Sequence, residues 1–255
     1  MAKTIAVAGK GGTGKTTVAA LIISVLLEEG QTPILAVDAD PDSNLGFLLG
    51  VDVEKTLGDL REDLLDEMKK LPAGMTKADY INAGLHQIIE ERNGFDLITM
   101  GRGEGSGCYC YLNSLIRKFS EDLMHSYRWL VMDNEAGLEH ISRRTTNNVD
   151  YLIVVVNDNP ISIITAKNIE KITEELKPSI KKKYVLTNML DGARKGKIIE
   201  RLLELNMEYL GNIPRDRVLE NAIFEGKPLI GIKDSVAKNV VKSIIERIGG
   251  GNGDS

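Results

Sequence analysis

Short apolar runs alternate along this chain with longer stretches in which apolar residues recur every three or four positions. The runs predict strands at residues 4–8, 33–37, 95–100, 129–132, 152–156, 184–186 and 209–213. The longer stretches predict helices at residues 15–29, 162–176, 193–205, 217–225 and 235–248, with Gly30 where the first should stop. Strands alternating with helices argue for a mostly parallel sheet covered by helices on both faces. Val154-Val155-Val156, without polar interruption, fits a central strand of such a sheet. Residues 52–93 break the pattern. They are charged, helical in periodicity and interrupted by Pro72-Ala73-Gly74, which predicts a helical insertion between two strands. Residues 249–255 are Gly-rich and are expected to form a flexible tail.

The loop after the first strand adds chemistry to this pattern. Gly9-Lys10-Gly11-Gly12-Thr13-Gly14-Lys15-Thr16-Thr17 fits G-x-x-x-x-G-K-[ST]. Glycines let the backbone turn its N–H groups toward phosphate oxygens. Lys15 supplies positive charge to the terminal phosphates, the Thr16 hydroxyl can ligate magnesium, and the following helix offers its N-terminus to the anion. Gly9, Gly11 and Gly14 also satisfy the dinucleotide fingerprint G-x-G-x-x-G, and Asp38 ends the second strand at a distance suited to a ribose hydroxyl. Lys15 and Thr16 decide between the two, because a dinucleotide site has no use for that pair directly after the last glycine. The expected fold is therefore a single-domain α/β P-loop NTPase over residues 1–248, binding ATP with Mg2+. Lys10, a second lysine inside the loop, reads either as a solvated charge or as a group that reaches phosphate across a dimer interface.

Composition excludes several other classes. Of the 255 residues, 42% are apolar and 27% charged, so a sizeable core can form. The net charge of −5 gives no support for nucleic-acid binding. No apolar run reaches the roughly 18 residues of a membrane span, and the opening residues do not form a signal-peptide pattern. Two cysteines make no disulfide framework, and a cytoplasmic location is expected.

Carboxylates follow the next strands. Val37-Asp38-Ala39-Asp40-Pro41-Asp42-Ser43-Asn44 lies where an open α/β sheet forms its ligand crevice. At least one of Asp38 and Asp40 is expected to position the attacking water or hold magnesium or its bound water, and Asp42 to serve the turn. Trp129-Leu130-Val131-Met132-Asp133 is an apolar strand ending in a carboxylate. It places Asp133 toward the magnesium shell, and Gly137 permits close backbone approach to the γ-phosphate. Farther along, Gly107-Cys108-Tyr109-Cys110 offers two thiols at i, i+2, just before a helical pattern at 112–125 whose N-terminus favours thiolate. Two sulfurs do not fill a four-coordinate site, but a second copy related by a two-fold axis would complete it. Two unreactive cysteines are the alternative. His86, His125 and His140 have no metal-ligand spacing with them.

Lys10-Gly11-Gly12-Thr13-Gly14-Lys15-Thr16-Thr17 resembles the deviant Walker A loop of the MinD and nitrogenase-iron-protein class. Within that class the chain is similar to the CooC/AcsF-type nickel-insertion ATPases. The similarity is carried by Val37-Asp38-Ala39-Asp40-Pro41-Asp42-Ser43, Cys108-Tyr109-Cys110 and Met132-Asp133-Asn134-Glu135-Ala136-Gly137-Leu138-Glu139-His140. The resemblance implies a homodimer over sandwiched ATP, in which Lys10 contacts the partner's nucleotide. It also implies one nickel or zinc ion held by the two Cys-x-Cys pairs at the dimer interface, and a nickel-enzyme client such as carbon monoxide dehydrogenase or acetyl-CoA synthase. It places the adenine near Asn188 and near Pro214, Arg215 and Asp216. Two departures bear on neighbouring families. The chain ends in Gly249-Gly250-Gly251-Asn252-Gly253, where a MinD-like protein would carry an amphipathic membrane helix. No cysteine follows Asp133, where nitrogenase iron proteins place one. The function expected is an ATP-dependent metallochaperone. An electron-transfer ATPase with a shared iron–sulfur cluster and a MinD-like scaffold ATPase are the alternatives.

Overall fold

The computed structural model describes residues 2–67, 83–101, 125–134, 148–175, 179–192 and 194–250. Among these residues, eight strands join in one sheet: β1 (Lys3–Gly9), β2 (Ile34–Ala39), β3 (Ile89–Arg92), β4 (Phe95–Thr99), β5 (Trp129–Asn134), β6 (Asn148–Val156), β7 (Ser179–Asn188) and β8 (Glu208–Ile213). Their spatial order is β3-β4-β2-β5-β1-β6-β7-β8, and every neighbouring pair is parallel except β3 with β4. The parallel strands therefore bring their C-terminal ends to one edge of the sheet. The helices are α1 (Lys15–Glu28), α2 (Leu45–Leu49), α3 (Leu57–Glu67), α4 (Pro160–Glu175), α5 (Lys195–Leu203), α6 (Arg217–Phe224) and α7 (Val236–Gly250), with a further helical turn at 83–87.

Side-chain alternation along the strands separates two cores. Ile5, Val7, Ala36, Val131, Ile153 and Val155 face α1 and α7, whereas Ala6, Ala8, Val37, Met132, Leu152 and Val154 face α3 and α4. α1 is apolar almost all round, with Val18 to Leu26 buried, because the sheet lies on one side of it and α7 on the other. Its C-terminal end carries Glu28 and Glu29, which the helix dipole disfavours. α7 answers both. Lys238, 8% exposed, pairs with Glu28 and donates to the Ile232 carbonyl at 2.6 Å, and Lys242 pairs with Glu29 at 2.6 Å.

The structure departs from the sequence pattern in several places among the described residues: the short helix α2 was not expected, and β6 begins at Asn148, ahead of its apolar run. Residues 89–92 were expected inside a helical insertion but form the antiparallel edge strand β3. The insertion is helical only at α3 and at 83–87. The physical reason is the two-residue link Asn93-Gly94, whose Gly94 adopts φ +85°, suited to a tight hairpin. β7 begins at Ser179, ahead of the apolar run, because exposed Lys182 still pairs its backbone with Tyr151 and Lys181 bonds Asp150 at 2.5 Å. Gly249 and Gly250 belong to α7, not to the expected tail. Residues 251–255 and most of the helix expected at 112–125 lie outside the described residues.

Lys238→Ala should lower the unfolding free energy in urea titration by about 1–3 kcal/mol, because a partly buried carbonyl loses its charged donor. Lys242→Ala, at an exposed pair, should leave the midpoint unchanged. Equal losses from the two would mean that surface charge, not the buried contact, ties α7 to α1.

Candidate functional site: a phosphate loop over two buried carboxylates

The loop between β1 and α1 has the conformation that its glycines predict. Gly9 has φ +142°, and a Cβ there would stand 2.4 Å from the Val155 carbonyl oxygen of the neighbouring strand. Gly14 caps α1 in the left-handed region at φ +87°, and a Cβ there would meet the Asn188 amide at 2.3 Å. No larger residue fits either position. The Thr13 N–H donates to the Lys10 carbonyl at 3.2 Å and the Thr13 hydroxyl at 2.8 Å, closing the turn from within. No acidic side chain occupies the first turn of α1, so its N-terminal amides stay available to an anion. Lys15 is 5% exposed, whereas Gly11 and Gly12 lie open to solvent.

Two asparagines pin the loop from outside. Asn188, at the end of β7, donates Nδ2 to the Thr13 carbonyl at 2.9 Å, and Asn157, just past β6, reaches the Gly12 carbonyl at 3.4 Å. Binding these carbonyls turns the loop's amides the other way, toward the phosphate side. Asn157 went unnoticed in the sequence. Its only signal was its place at the C-terminal end of a central strand.

Beneath the loop, Asp38 and Asp133 are register partners on adjacent strands β2 and β5, on the face that carries α1. Both side chains are 0% exposed. Asp38 accepts the Asp40 N–H at 3.2 Å and the Leu45 N–H at 2.9 Å, so it also caps α2. Burial pushes its carboxyl up to about 6 against those two amides, with Asp40 adding to the rise. Asp133 is less well served, for among the described residues neither of its oxygens has a hydrogen bond. Burial pushes its carboxyl up to about 7. The Thr16 hydroxyl and the Lys15 charge favour the ionised form, but Thr16 completes no hydrogen bond, and Asp38 and Asp40 oppose them. Asp40 itself is half-buried in the loop and accepts the Asp42 N–H at 3.0 Å.

Two buried, unsatisfied carboxylate oxygens beside a threonine hydroxyl fit a hard divalent cation with oxygen ligands. Asp133 and Thr16 are the side chains that would hold magnesium, which would neutralise charge on the terminal phosphates.

The segment expected to border the base has its own internal contacts. Pro214 and exposed Arg215 follow β8, and Arg215 lies 3.6 Å from Glu220. Asp216 caps α6 through Val218 and Leu219, and also accepts from Ser235 at 2.7 Å and Ala237 at 3.0 Å. Burial works against its charge, but these donors outweigh it and hold the carboxyl below the usual range. That carboxylate is committed to joining two helix ends, so contact with a nucleotide would fall to the backbone. Gly137, Glu139 and His140 lie outside the described residues, as do Cys108 and Cys110. Among the described residues no cluster of three or more His, Cys, Asp or Glu is placed to hold a metal ion, and no helix is long and apolar enough to cross a membrane.

The sequence pattern of the CobQ/CobB/MinD/ParA nucleotide binding domain matches residues 4–229. The chain belongs to this family. Being of the CobQ/CobB/MinD/ParA family, it is a P-loop ATPase, with ATP and magnesium as the implied ligands. It is 42% identical over 247 residues to an uncharacterized ATP-binding protein of Methanocaldococcus jannaschii, covering 96% of this chain and 97% of that one. It is 30% identical over 264 residues to the carbon monoxide dehydrogenase accessory protein CooC of Rhodospirillum rubrum, covering 96% and 97%. Among solved structures, the MinD cell division protein of Aquifex aeolicus matches at a TM-score of 0.70 and 20% identity, over 98% of this chain and 97% of that one. MinD of Pyrococcus horikoshii, complexed with Mg-ADP, matches at 0.68 and 20%, over 99% and 98%. These two likenesses concern the fold.

Both carboxyls sit above the ordinary value of 3.8, so the folded chain binds protons more readily than the unfolded one. The stabilisation is complete below about pH 4 and is lost as pH rises through the two folded values. The thermal midpoint of nucleotide-free protein should therefore fall between about pH 5 and about pH 8. Asp133→Asn should flatten the upper part of that fall and raise the midpoint at pH 8. A midpoint that climbs across this window would contradict the burial account.

Proposed function

We propose that this ATPase is a metallochaperone for a nickel enzyme, of the carbon monoxide dehydrogenase or acetyl-CoA synthase kind. The observation that carries the reading is a Cys-x-Cys pair, Cys108 and Cys110, in a chain 30% identical to CooC along nearly its whole length. MinD- and ParA-like ATPases commonly dimerise, and two copies of the pair supply four thiolates for one nickel or zinc ion.

In this reading Lys15, Thr16 and the amides of Gly11 to Thr17 hold the triphosphate, while Asn188 and the Pro214–Arg215–Asp216 backbone border the base. Lys10 has a 3.3 Å contact to the Gly11 carbonyl as its one hydrogen bond among the described residues, and swings to the partner's phosphates. Asp40, the more accessible of the two candidate carboxylates, orients the attacking water, while Asp38 is tied by two backbone amides. Asp133 and Gly137 respond to the γ-phosphate. Closure over ATP brings the thiolates together, and hydrolysis reopens the dimer and loosens the cargo ion. A complete thiolate site is worth on the order of 10 kcal/mol for zinc. Two sulfurs bind far less tightly, so assembly and release can be driven by the nucleotide.

The test is metal content and sedimentation of the full chain, with and without ATP and with nickel or zinc supplied. The reading expects one ion per dimer, dimerisation promoted by ATP and by metal, and loss of only the metal-driven part in Cys108→Ala/Cys110→Ala. Lys10→Ala should remove the ATP-driven part. A monomer–dimer balance indifferent to metal would overturn the metallochaperone reading and leave a scaffold ATPase. A brown, iron-containing dimer from anaerobic purification would replace it with a shared cluster.

A further inference from the structure

A third side chain stands in the row formed by Asp38 and Asp133. Thr99 closes β4 and is the register partner of Asp38, which is in turn the partner of Asp133. The three residues lie on adjacent parallel strands about 4.8 Å apart, on the same face of the sheet. Thr99 is 1% exposed, and its hydroxyl has no hydrogen-bond partner among the described residues. A residue needed only to fill this space would be served better by valine, which has the same shape and no polar group to strand. The backbone directly after Thr99 is fixed, since the Met100 N–H donates to the Asp38 carbonyl at 2.8 Å and the Gly58 N–H to the Met100 carbonyl at 3.0 Å.

Asp38 has room for another donor. An ionised carboxylate offers about four acceptor sites, and among the described residues the Asp40 and Leu45 amides occupy two of them. One of those donors lies in the loop between β2 and α2 and the other opens α2, so both move with that segment. Thr99 belongs to a strand, and a bond from its hydroxyl to Asp38 would not depend on that segment.

We propose that Thr99 is a positioning residue for ATP hydrolysis: its hydroxyl donates to Asp38 in the nucleotide-loaded enzyme and keeps that carboxylate aligned beside Asp133 while the Asp40 loop rearranges around the phosphates. The stranded, buried hydroxyl is the donor that this role would use. The proposal rests on placing Asp38 at the nucleotide site.

The test compares Thr99→Val, Thr99→Ser, Asp38→Asn and the Thr99→Val/Asp38→Asn double variant by steady-state ATPase kinetics and thermal midpoint. Thr99→Val should lower kcat roughly tenfold, the loss of one hydrogen bond to a charged group, with KM for MgATP unchanged. Its midpoint should stay level or rise, a combination that a purely structural role would not give. Thr99→Ser should recover most of the rate, and Thr99→Val should cost nothing further when Asp38 is already Asn. An unchanged kcat in Thr99→Val, or the same loss in both backgrounds, overturns the proposal while leaving Asp38 at the site if Asp38→Asn is impaired. A normal rate in Asp38→Asn removes Asp38 from the hydrolytic site and the proposal with it.

Discussion

Asp38 and Asp133 stand side by side on neighbouring parallel strands, shut off from solvent, with no hydrogen bond on Asp133 among the described residues. Two carboxylates in that position repel each other and are costly to ionise, and a bound cation would relieve both costs. The surrounding elements supply the remaining parts of such a site. The C-terminal ends of β1, β2 and β5 meet at this edge. They set Lys15 and Thr16, at the start of α1, over the carboxylates and open the loop amides toward the same space.

The rigidity of the loop comes from outside it. Asn188 and Asn157, from strands on the far side of β1, hold two loop carbonyls, while Gly9 and Gly14 lie too close to Val155 and Asn188 to carry a side chain. The positive end of α1 is thus preformed, and α1 is itself wedged between the sheet and α7. On the other flank, Asp38 reaches the start of α2 through the Leu45 amide and so ties that helix to the end of β2.

The parts of this arrangement that the sequence shows plainly are those with more than one mark. The phosphate loop has spacing, glycines and a strand and helix on either side. Asp133 ends an apolar run, and the central strands are apolar without interruption. Single polar residues at strand ends carry no such mark. Asn157 and Thr99 look like ordinary punctuation until the register sets them beside Gly12 and Asp38. Asp216 shows the opposite case, a carboxylate expected near the base whose four hydrogen bonds make it a joint between α6 and α7. β3 is too short and too charged for periodicity to reveal, and only Asn93-Gly94 marks it. Cys108 and Cys110 carry their meaning in sequence alone.

The central claim is that the buried pair under the loop is completed by magnesium when nucleotide binds. Calorimetric titration of ATP into the protein, with magnesium and with it chelated, compared between the wild-type chain and Asp133→Asn, tests it most directly. The account predicts that magnesium tightens ATP binding to the wild-type chain by a factor that largely disappears in Asp133→Asn, while metal-free ATP binds both alike through the loop. An equal magnesium effect in the two proteins would contradict it.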